Sequence, residues 1–325
     1  MKYFRFIFFT TVLILSSLVN ASYLDRDEVQ DFVDYLSEKH DFKKSYLLDI
    51  FSKTEKQQKI IDLMNNPSEK VTPWDDYKKR VSLTRVQSGI RFLNTYEQWF
   101  DKAEEVYGVP REVIASIIGL ETNYGGYKGR TRVIDALTTA AFDYPRRRDF
   151  FKIQLEEYFL LTREEGFDPL EIKGSYAGAM GFVQFMPDNY RKLAIDFDDD
   201  GKKDILSNPA DAIGSVANFL SSNLGNKKGW DRDGFIAIQA SPKGYKKNIK
   251  SSFKLKSFKE LDIKIDSELN TSKKYIQISL FPKDDSKEEY WIGDKNLYAI
   301  TRYNPSSKYA MSVFLLSREF INMGN

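Results

Sequence analysis

A single carboxyl group at the end of an apolar helix face is the first candidate for chemistry in this sequence. The isoleucines that lie seven, four and three residues before Glu121 share one face of a predicted helix with it. A carboxyl group on a face built for burial keeps its proton to a higher pH, which a general acid needs near neutral pH. Gly125 and Gly126 then end the helix and leave room for a bound molecule. A glutamate that pairs with an arginine at a helix end fits the same spacing, so periodicity alone leaves both interpretations open.

A segment rich in glycine and alanine at 174–187 is the second candidate. Its small residues let the backbone approach a bound molecule closely, and Tyr176 and Phe185 offer flat apolar faces. The Gln184 amide both donates and accepts hydrogen bonds. This composition suits a sugar, although a tightly packed junction between a helix and a loop would use the same residues.

An acidic loop at 196–204 is the third candidate. Oxygen ligands at alternate positions and a glycine at the sixth position are the pattern of an EF-hand loop. The predicted ligand positions are Asp196, Asp198, Asp200 and Lys202, with Gly201 at the turn. The twelfth position is Ser207 rather than glutamate, so the bidentate ligand must come from elsewhere. Calcium is the ion that this pattern favours, in a structural role, and a simple acidic turn is the alternative.

The composition narrows the chemistry further. The chain has 325 residues and no cysteine, which excludes thiol catalysis, disulfides, zinc–thiolate sites and a lipid anchor on cysteine. Its one histidine, His40, lies in a polar stretch, which argues against a Ser-His-Asp triad or a multi-histidine metal site. Acid–base chemistry then falls to carboxylates, tyrosine or lysine. The formal net charge of +2 indicates no bulk attraction to nucleic acid.

Residues 1–21 have the pattern of a secretory signal peptide. Lys2 and Arg5 form a charged start, 6–19 form an apolar run, and Val19-Asn20-Ala21 is a small-residue cleavage site. We expect cleavage after Ala21 and a location in the periplasm. An uncleaved membrane anchor is the alternative, although the apolar run is near the short end for a spanning helix.

The candidates must be positioned by a mainly helical chain. Apolar residues recur at helical spacing through the first hundred residues and again around the candidates, where glycine-rich turns interrupt them. Between 251 and 303 the apolar residues alternate with polar ones, which predicts strands. We therefore predict a mainly α (α+β) fold. Its predicted domains are an N-terminal helical domain at 22–108, a central domain at 109–230, a small β domain with a return segment at 231–305, and a closing helix at 306–325 that joins the first domain.

Several motifs together resemble those of a known family. They are Pro73 to Tyr77, Tyr107 to Pro110, Gly119 to Gly125, Tyr144 to Arg147, Gly178 to Pro187, Ile300 to Asn304 and Tyr309 to Met311. In this order they resemble the motifs of lytic murein transglycosylases of the B type, and they cover nearly all of the mature chain. The resemblance implies a lysozyme-like core at 109–230 with an added helical domain and a small β domain.

The resemblance also implies a reaction. Such enzymes cleave the β-1,4 bond between N-acetylmuramic acid and N-acetylglucosamine. Glu121 would protonate the leaving oxygen and then, as a base, deprotonate the muramoyl 6-hydroxyl, which closes a 1,6-anhydro ring. One carboxylate suffices because the nucleophile belongs to the substrate, and no cofactor is needed for catalysis.

Further site residues follow from the same resemblance. Those implied to contact the sugars are Ser175, Gln184, Phe185, Tyr303, Asn304 and Tyr309, with Tyr77, Arg146 and Arg147 nearby. A run of arginines is also typical of a solvated face. Asp211 would supply the missing calcium ligand, although Lys203 stands at a usually apolar position in a loop that is one residue longer than expected. Asn208, Pro209 and Asp211 also fit the capped start of a helix. Phe219 replaces a tyrosine that is common in relatives.

Two other functions use the same features. A hydrolytic, lysozyme-like muramidase needs a positioned water and usually a second carboxylate, and the sequence identifies no such partner. A non-catalytic peptidoglycan-binding protein needs no acid at Glu121. The expected partners are peptidoglycan glycan strands and other cell-wall enzymes but not nucleic acid, and we expect a monomer.

Overall fold

In a computed structural model, the chain is described over residues 23–66, 71–222, 229–244, 248–266, 269–283 and 288–324. The predicted signal peptide at 1–21 lies outside the described residues. Within them, no helix is both long enough and apolar enough to cross a membrane. The chain divides into two compact units, residues 1–56 and residues 57–325.

In the first unit, all regular elements of the described residues are helical. A short 3-10 turn at Tyr23–Asp25 precedes helix α1 (Asp27–His40) and helix α2 (Lys44–Ser52). The apolar residues whose spacing predicted α1 are buried along one side of it. His40 is the last residue of α1, within its charged final turn.

The second unit holds the remaining elements. Its helices are α3 (Gln58–Asn65), α4 (Trp74–Lys78), α5 (Leu83–Thr95), α6 (Glu97–Tyr107), α7 (Arg111–Thr122), α8 (Val133–Asp143), α9 (Arg148–Glu164), α10 (Pro187–Leu193), α11 (Pro209–Ser221), α12 (Lys295–Tyr303) and α13 (Ser307–Gly324). Its strands are β1 (Thr131–Arg132), β2 (Lys173–Gly174), β3 (Ala237–Pro242), β4 (Ser252–Ser257), β5 (Ile263–Lys264), β6 (Lys274–Leu280) and β7 (Glu289–Gly293). The predicted α+β fold with a majority of helix is confirmed.

Helix α7 lies at the centre of the helical core. Pro110 precedes its first turn, and its residues from Val113 to Gly119 are all buried. It packs against α5, α6, α11 and α13. A helix that is apolar around its circumference requires such neighbours on every side. The residue at its exposed end, Glu121, is therefore carried on a rigid support.

The end of α7 has an unusual backbone. Asn123, Tyr124 and Gly125 all have positive φ angles, of 51°, 60° and 85°. Left-handed backbone is costly for residues with a side chain and is often found near functional sites. The sequence predicted that the helix would run up to Gly125. Instead α7 ends two residues earlier than that, at Thr122, and Asn123 forms its left-handed cap.

The strands form two antiparallel sheets. Strands β1 and β2 form a small pair next to the segment at 174–187, with Thr131 opposite Gly174. The other sheet has the order β4-β6-β7-β3-β5. Its interior strand β6 was expected to alternate buried and exposed residues, yet Gln277 and Ser279 are buried like their apolar neighbours. The reason is that β6 also packs against α12 and α13.

The end of the predicted β region is helical. Residues 295–303 form α12 because Asp294 caps its start: the Asp294 carboxylate accepts a hydrogen bond from the Asn296 amide at 2.7 Å. Asp294 is 2% exposed, and burial raises its pKa to about 6, with the nearby Asp231 adding to the effect. Helix α12 carries Tyr303 at its end, so this cap fixes a residue of the predicted site.

The Asp294 cap predicts a pH-dependent stability. A carboxyl group whose pKa is higher in the folded than in the unfolded chain stabilises the fold at low pH, and this contribution is lost as the pH rises from about 4 to about 6. The Asp294→Asn variant lacks this titration. We expect the wild-type free energy of unfolding to fall by about 1–3 kcal/mol relative to the variant over this range, measured by urea denaturation. Parallel curves for the two proteins would contradict the prediction.

Candidate active site

The Glu121 side chain lies beside two tyrosines from the C-terminal part of the chain, of which Tyr309 is buried and Tyr303 is partly exposed. Glu121 is in the last turn of α7, and its charge acts on both Tyr303 and Tyr309. Burial and, second, this charge raise the pKa of each tyrosine hydroxyl well above its usual value. Among the described residues, Glu121 is the one carboxylate that acts on both. The two tyrosines therefore stay neutral.

The two hydroxyl groups are used differently. Tyr303 donates a hydrogen bond to the Val183 carbonyl at 2.5 Å. The Tyr309 hydroxyl is buried without a well-aligned hydrogen bond, although Glu121 lies close enough to contribute a hydrogen-bonding interaction to its raised pKa. The Tyr309 hydroxyl is therefore the one of the two that lies within hydrogen-bonding reach of the Glu121 carboxyl group.

Aromatic rings form the surroundings of these hydroxyl groups. The Tyr303 ring stacks on Tyr309 with a centroid distance of 6.5 Å and meets the Phe219 ring edge-on at 4.7 Å. Phe185 lies 5.8 Å from Tyr303 and 5.7 Å from Phe219. These rings pack into one aromatic cluster, which holds the two tyrosines that the Glu121 charge acts on. Phe219 contacts this cluster through its ring alone. The tyrosine that is common at this position in relatives would keep the ring and add a hydroxyl group.

Thr122 connects the helix of Glu121 to the glycine-rich segment. Its hydroxyl donates a hydrogen bond to the Phe182 carbonyl at 2.9 Å and accepts one from the Gly125 amide at 3.0 Å. The side chain is 2% exposed. The Phe182 ring packs against the backbone of Gly125, where a Cβ atom would lie 2.1 Å from a ring carbon. This set of contacts fixes the distance between Glu121 and the segment at 174–187.

The predicted sugar contacts Ser175 and Gln184 shape the segment at 174–187. The Ser175 hydroxyl accepts hydrogen bonds from the Ala177 and Ala179 amides at 3.3 and 3.0 Å. Gln184 has a φ angle of 50°, and its amide nitrogen donates to the Gly181 carbonyl at 2.9 Å and to the Lys128 carbonyl at 3.3 Å. Both side chains are partly exposed, so each can also present an oxygen to a bound molecule.

The other predicted residues fall into two groups. Tyr77 is 1% exposed and influences Tyr309, so the structure brings it to the same cluster. Asn304 directly follows Tyr303 and is partly exposed. Arg146 and Arg147 are exposed, and the Arg147 guanidinium lies 4.0 Å from the centre of the Phe150 ring. No described contact joins either arginine to the cluster around Glu121.

The acidic loop brings three carboxylates together. Oxygens of Asp196, Asp198 and Asp211 all lie within 4.8 Å of one another. Asp211 is fully buried in the first turn of α11 and accepts hydrogen bonds from the Phe197 and Asp204 amides, both at 2.7 Å. Burial raises its pKa to about 6, and the charges of Asp198 and Asp196 add to this. The extra loop residue therefore leaves Asp211 within the cluster.

The remaining ligand positions of this loop differ in their use. One Asp198 oxygen accepts a hydrogen bond from the Asn208 side chain at 2.9 Å, and the other is buried without a hydrogen-bond partner. Asp200 is exposed, and its carboxylate accepts a hydrogen bond from the Lys202 amide at 2.9 Å. Asp200 thus lies outside the group of three. A buried oxygen without a partner, next to two further carboxylates, is the donor set that a hard cation requires.

Comparison with known proteins places this geometry in a family. The chain matches the transglycosylase SLT domain over residues 25–318. The chain belongs to this family. It is therefore a lytic murein transglycosylase, a lyase that cleaves peptidoglycan, and the predicted family is confirmed.

Individual relatives agree with this assignment. The chain is 38% identical over 312 residues to membrane-bound lytic murein transglycosylase B of Escherichia coli strain K12, which covers 92% of this chain and 84% of that protein. Lytic transglycosylase SltB1 from Pseudomonas aeruginosa, solved in a catenated form, has a TM-score of 0.85 and 37% identity, with 93% of this chain and 100% of that chain covered. Escherichia coli lytic transglycosylase Slt35, solved in complex with calcium, has a TM-score of 0.81 and 36% identity, with 92% and 94% covered. The lysozyme-like character of the fold follows from these neighbours.

The sequence analysis missed two residues that organise this transglycosylase site. Thr122 stands next to Glu121 in the motif, yet a threonine near a helix end is so common that its type alone predicts nothing. Phe182 has a ring and a carbonyl that both contact the end of α7. The motif from Gly178 to Pro187 could have indicated that this segment matters. It could not have indicated that the Phe182 ring and carbonyl face the end of α7.

The Thr122 connection predicts a loss of both stability and activity when its hydroxyl is removed. The Thr122→Val variant leaves the Phe182 carbonyl and the Gly125 amide without their partner, which costs about 1–3 kcal/mol of unfolding free energy. We also expect kcat to fall by about tenfold or more, because the Glu121 carboxyl is then less well positioned. The Thr122→Ser variant keeps the hydroxyl and should retain most of both. Urea denaturation and turnover of purified peptidoglycan measure the two effects, and a Thr122→Val variant equal to wild type would refute them.

Proposed function

We propose that Glu121 is the general acid and then the general base in the cleavage of the β-1,4 bond between N-acetylmuramic acid and N-acetylglucosamine. The observation that carries this proposal is the position of Glu121 beside the buried hydroxyls of Tyr303 and Tyr309, on the rigid end of α7. Both tyrosines stay neutral, so they can neighbour the carboxyl group in its protonated and in its ionised form. Membership in the transglycosylase family supports the same role.

The first step breaks the glycosidic bond. Glu121 gives its proton to the oxygen between the two sugars, which leaves as the hydroxyl of N-acetylglucosamine. Positive charge develops at the anomeric carbon of the muramoyl residue, and the newly formed carboxylate of Glu121 stabilises it. The neutral Tyr309 hydroxyl contributes by donating a hydrogen bond to this carboxylate.

The second step closes the new ring. Glu121, now a carboxylate, accepts the proton of the muramoyl 6-hydroxyl while that oxygen bonds to the anomeric carbon. The product is 1,6-anhydromuramic acid, no water is consumed, and Glu121 regains the proton that it gave away. A second catalytic carboxylate is unnecessary because the substrate supplies the nucleophile. This property distinguishes the reaction from that of a hydrolytic muramidase, and the family assignment favours it over both alternatives.

The contacts to the sugars are proposed for the residues around this centre. Ser175 and Gln184 present polar groups from the ordered segment at 174–187, and Asn304 does so from the end of α12. Phe185, Tyr309 and Tyr77 support them mainly as buried rings, and Tyr303 does so as a partly exposed ring. For the exposed Arg146 and Arg147, carboxylates of the substrate are the proposed contacts.

The acidic loop fits a structural calcium ion. Asp196, Asp198 and Asp211 supply carboxylate oxygens. One buried Asp198 oxygen has no hydrogen-bond partner within the described residues, so a cation could bind there. Such an ion would neutralise three neighbouring charges and connect the loop to α11. A complex of calcium with Slt35 supports the proposal. Asp200 and Lys202 remain proposed ligand positions, and no catalytic step depends on the ion.

The cellular setting is proposed from the sequence. We propose export through the signal peptide at 1–21 to the periplasm, and action there as a monomer with other cell-wall enzymes as candidate partners. The division into domains at 22–108, 109–230 and 231–305, with the closing helix at 306–325, is likewise proposed. Fractionation of cells tests the location, because a cytoplasmic mature chain would contradict it, and mass photometry tests the oligomeric state.

The acid–base role predicts a specific loss on substitution. The Glu121→Gln variant keeps the shape of the side chain but cannot give or accept the proton, so we expect turnover of purified sacculi to fall by at least about 100-fold with binding retained. Mass spectrometry of the wild-type digest should show 1,6-anhydromuramoyl ends. Reducing ends alone would overturn the mechanism, and an active Glu121→Gln variant would overturn the role of Glu121.

The calcium proposal predicts a change in melting temperature. A ligand present at one hundred times its Kd adds about 2.7 kcal/mol to the stability of the folded chain, which corresponds to a rise in melting temperature of about 4 °C for a chain of this size. The Asp198→Asn variant keeps an oxygen toward Asn208 but removes a charge, so it should lose most of the rise. Magnesium at the same concentration is the control, since it suits such loops less well. If calcium and a chelator give equal melting temperatures, the loop binds no calcium.

A further inference from the structure

A pocket opens on the outer side of the segment that contacts Thr122. It has a volume of about 300 Å³, within the range of ligand sites, and an apolar floor that includes Phe167, Ile172 and Leu206. Charged side chains of both signs surround this floor, among them Lys128, Glu171 and Lys173. A ligand that carries a carboxylate, an amino group and small apolar parts matches both the charges and the apolar residues of this pocket.

The pocket is continuous with the proposed active site. One of its walls is formed by Gly181 and Lys128, whose carbonyl groups both accept hydrogen bonds from the Gln184 amide, at 2.9 and 3.3 Å. The next residue, Phe182, accepts the hydrogen bond from Thr122. The wall of the pocket and the support of Glu121 are thus two sides of one short segment. A substrate bound at Gln184 lies within reach of the pocket.

Two of the charges at the pocket are already engaged. The Lys128 ammonium donates a hydrogen bond to the Leu206 carbonyl at 2.8 Å and lies 4.6 Å from the centre of the Phe182 ring. The Asp168 carboxylate accepts a hydrogen bond from the Leu170 amide at 2.8 Å. These contacts shape the pocket, and they leave its other charges to interact with a ligand.

Lys173 and Glu171 are the charges that remain. Both are exposed, and neither makes a salt bridge within the described part of the chain. Lys173 is held in place by the pairing of β2 with β1, where it lies opposite Arg132. Two hydrogen bonds to Asp135, at 2.7 and 2.9 Å, neutralise Arg132. The strand pairing therefore holds the Lys173 backbone in place, and the ammonium group at the end of its side chain can attract an anion.

We propose that this pocket binds the peptide carried by the lactyl group of a muramoyl residue, with Lys173 at a carboxylate and Glu171 at an amino group of that peptide. The proposal rests on the proposed function, because it assumes that a glycan strand lies along Gln184. Short peptides with ionised ends and small apolar side chains match both the charges and the floor. The pocket would then select strands that still carry their peptides over strands that have lost them.

The test compares two substrates and a double variant. The substrates are uncross-linked glycan strands with their peptides and the same strands after removal of the peptides by an amidase. The Lys173→Met/Glu171→Gln variant removes one charge of each sign, so the net charge is unchanged. We expect its KM to rise about threefold to tenfold on peptide-bearing strands, with kcat and the KM on peptide-free strands unchanged. A matched control, Lys254→Met/Glu105→Gln, removes two exposed charges elsewhere and should behave as wild type.

Two outcomes would overturn the proposal. An equal rise of KM on both substrates would show that the pocket binds the glycan itself, and an unchanged KM on both would show that it does not meet the substrate. Binding of both strand types to Glu121→Gln, with and without the two pocket substitutions, measures the pocket without any turnover. The failure of the proposed reaction would appear instead as an absence of anhydro products from the wild-type enzyme. Melting temperatures of all variants confirm that they are folded.

Discussion

The hydroxyl group of Thr122 reconciles two opposed demands at the end of α7. The helix is buried on nearly all sides, whereas the residue before Thr122, Glu121, stays partly exposed. One small polar group satisfies backbone atoms of the tight turn and of the facing segment at the same time. The turn can then reverse direction within three residues of left-handed backbone. The positions of Phe182, Val183 and Gln184 relative to the acid all depend on this connection.

The arrangement of the tyrosine cluster depends on elements that are far apart in the sequence. Tyr303 and Tyr309 come from α12 and α13, whereas Glu121 comes from α7, and their hydroxyls approach one carboxyl group. The start of helix α12 is in turn capped by Asp294, a buried residue that directly follows strand β7. The small sheet thus contributes to the site through the helix that follows it. Changes far from Glu121 in sequence can alter the environment of the acid.

Much of this arrangement was accessible from the sequence. Helical spacing placed Glu121 in the last turn of the predicted helix, where the structure has it, and the absence of cysteine with a single histidine restricted acid–base chemistry to carboxylates, tyrosine or lysine. Periodicity failed at β6 and at 295–303, because a strand covered on both faces loses its alternation and a helix cap of one aspartate outweighs the preceding pattern. The contacts of Thr122 and the pocket near Lys173 depend on pairings between distant segments. No local pattern encodes such pairings.

The burial of β6 on both faces affects how the chain can reach its final state. One face of this strand packs within the sheet, around Tyr275 and Ile292, and the other is covered by α12 and α13. Those two helices follow the strand in the sequence. During synthesis the strand therefore emerges before the helices that cover it. Its apolar face stays open to solvent until those helices have been made, so the chain exposes this surface longest if synthesis is slow after Gly293.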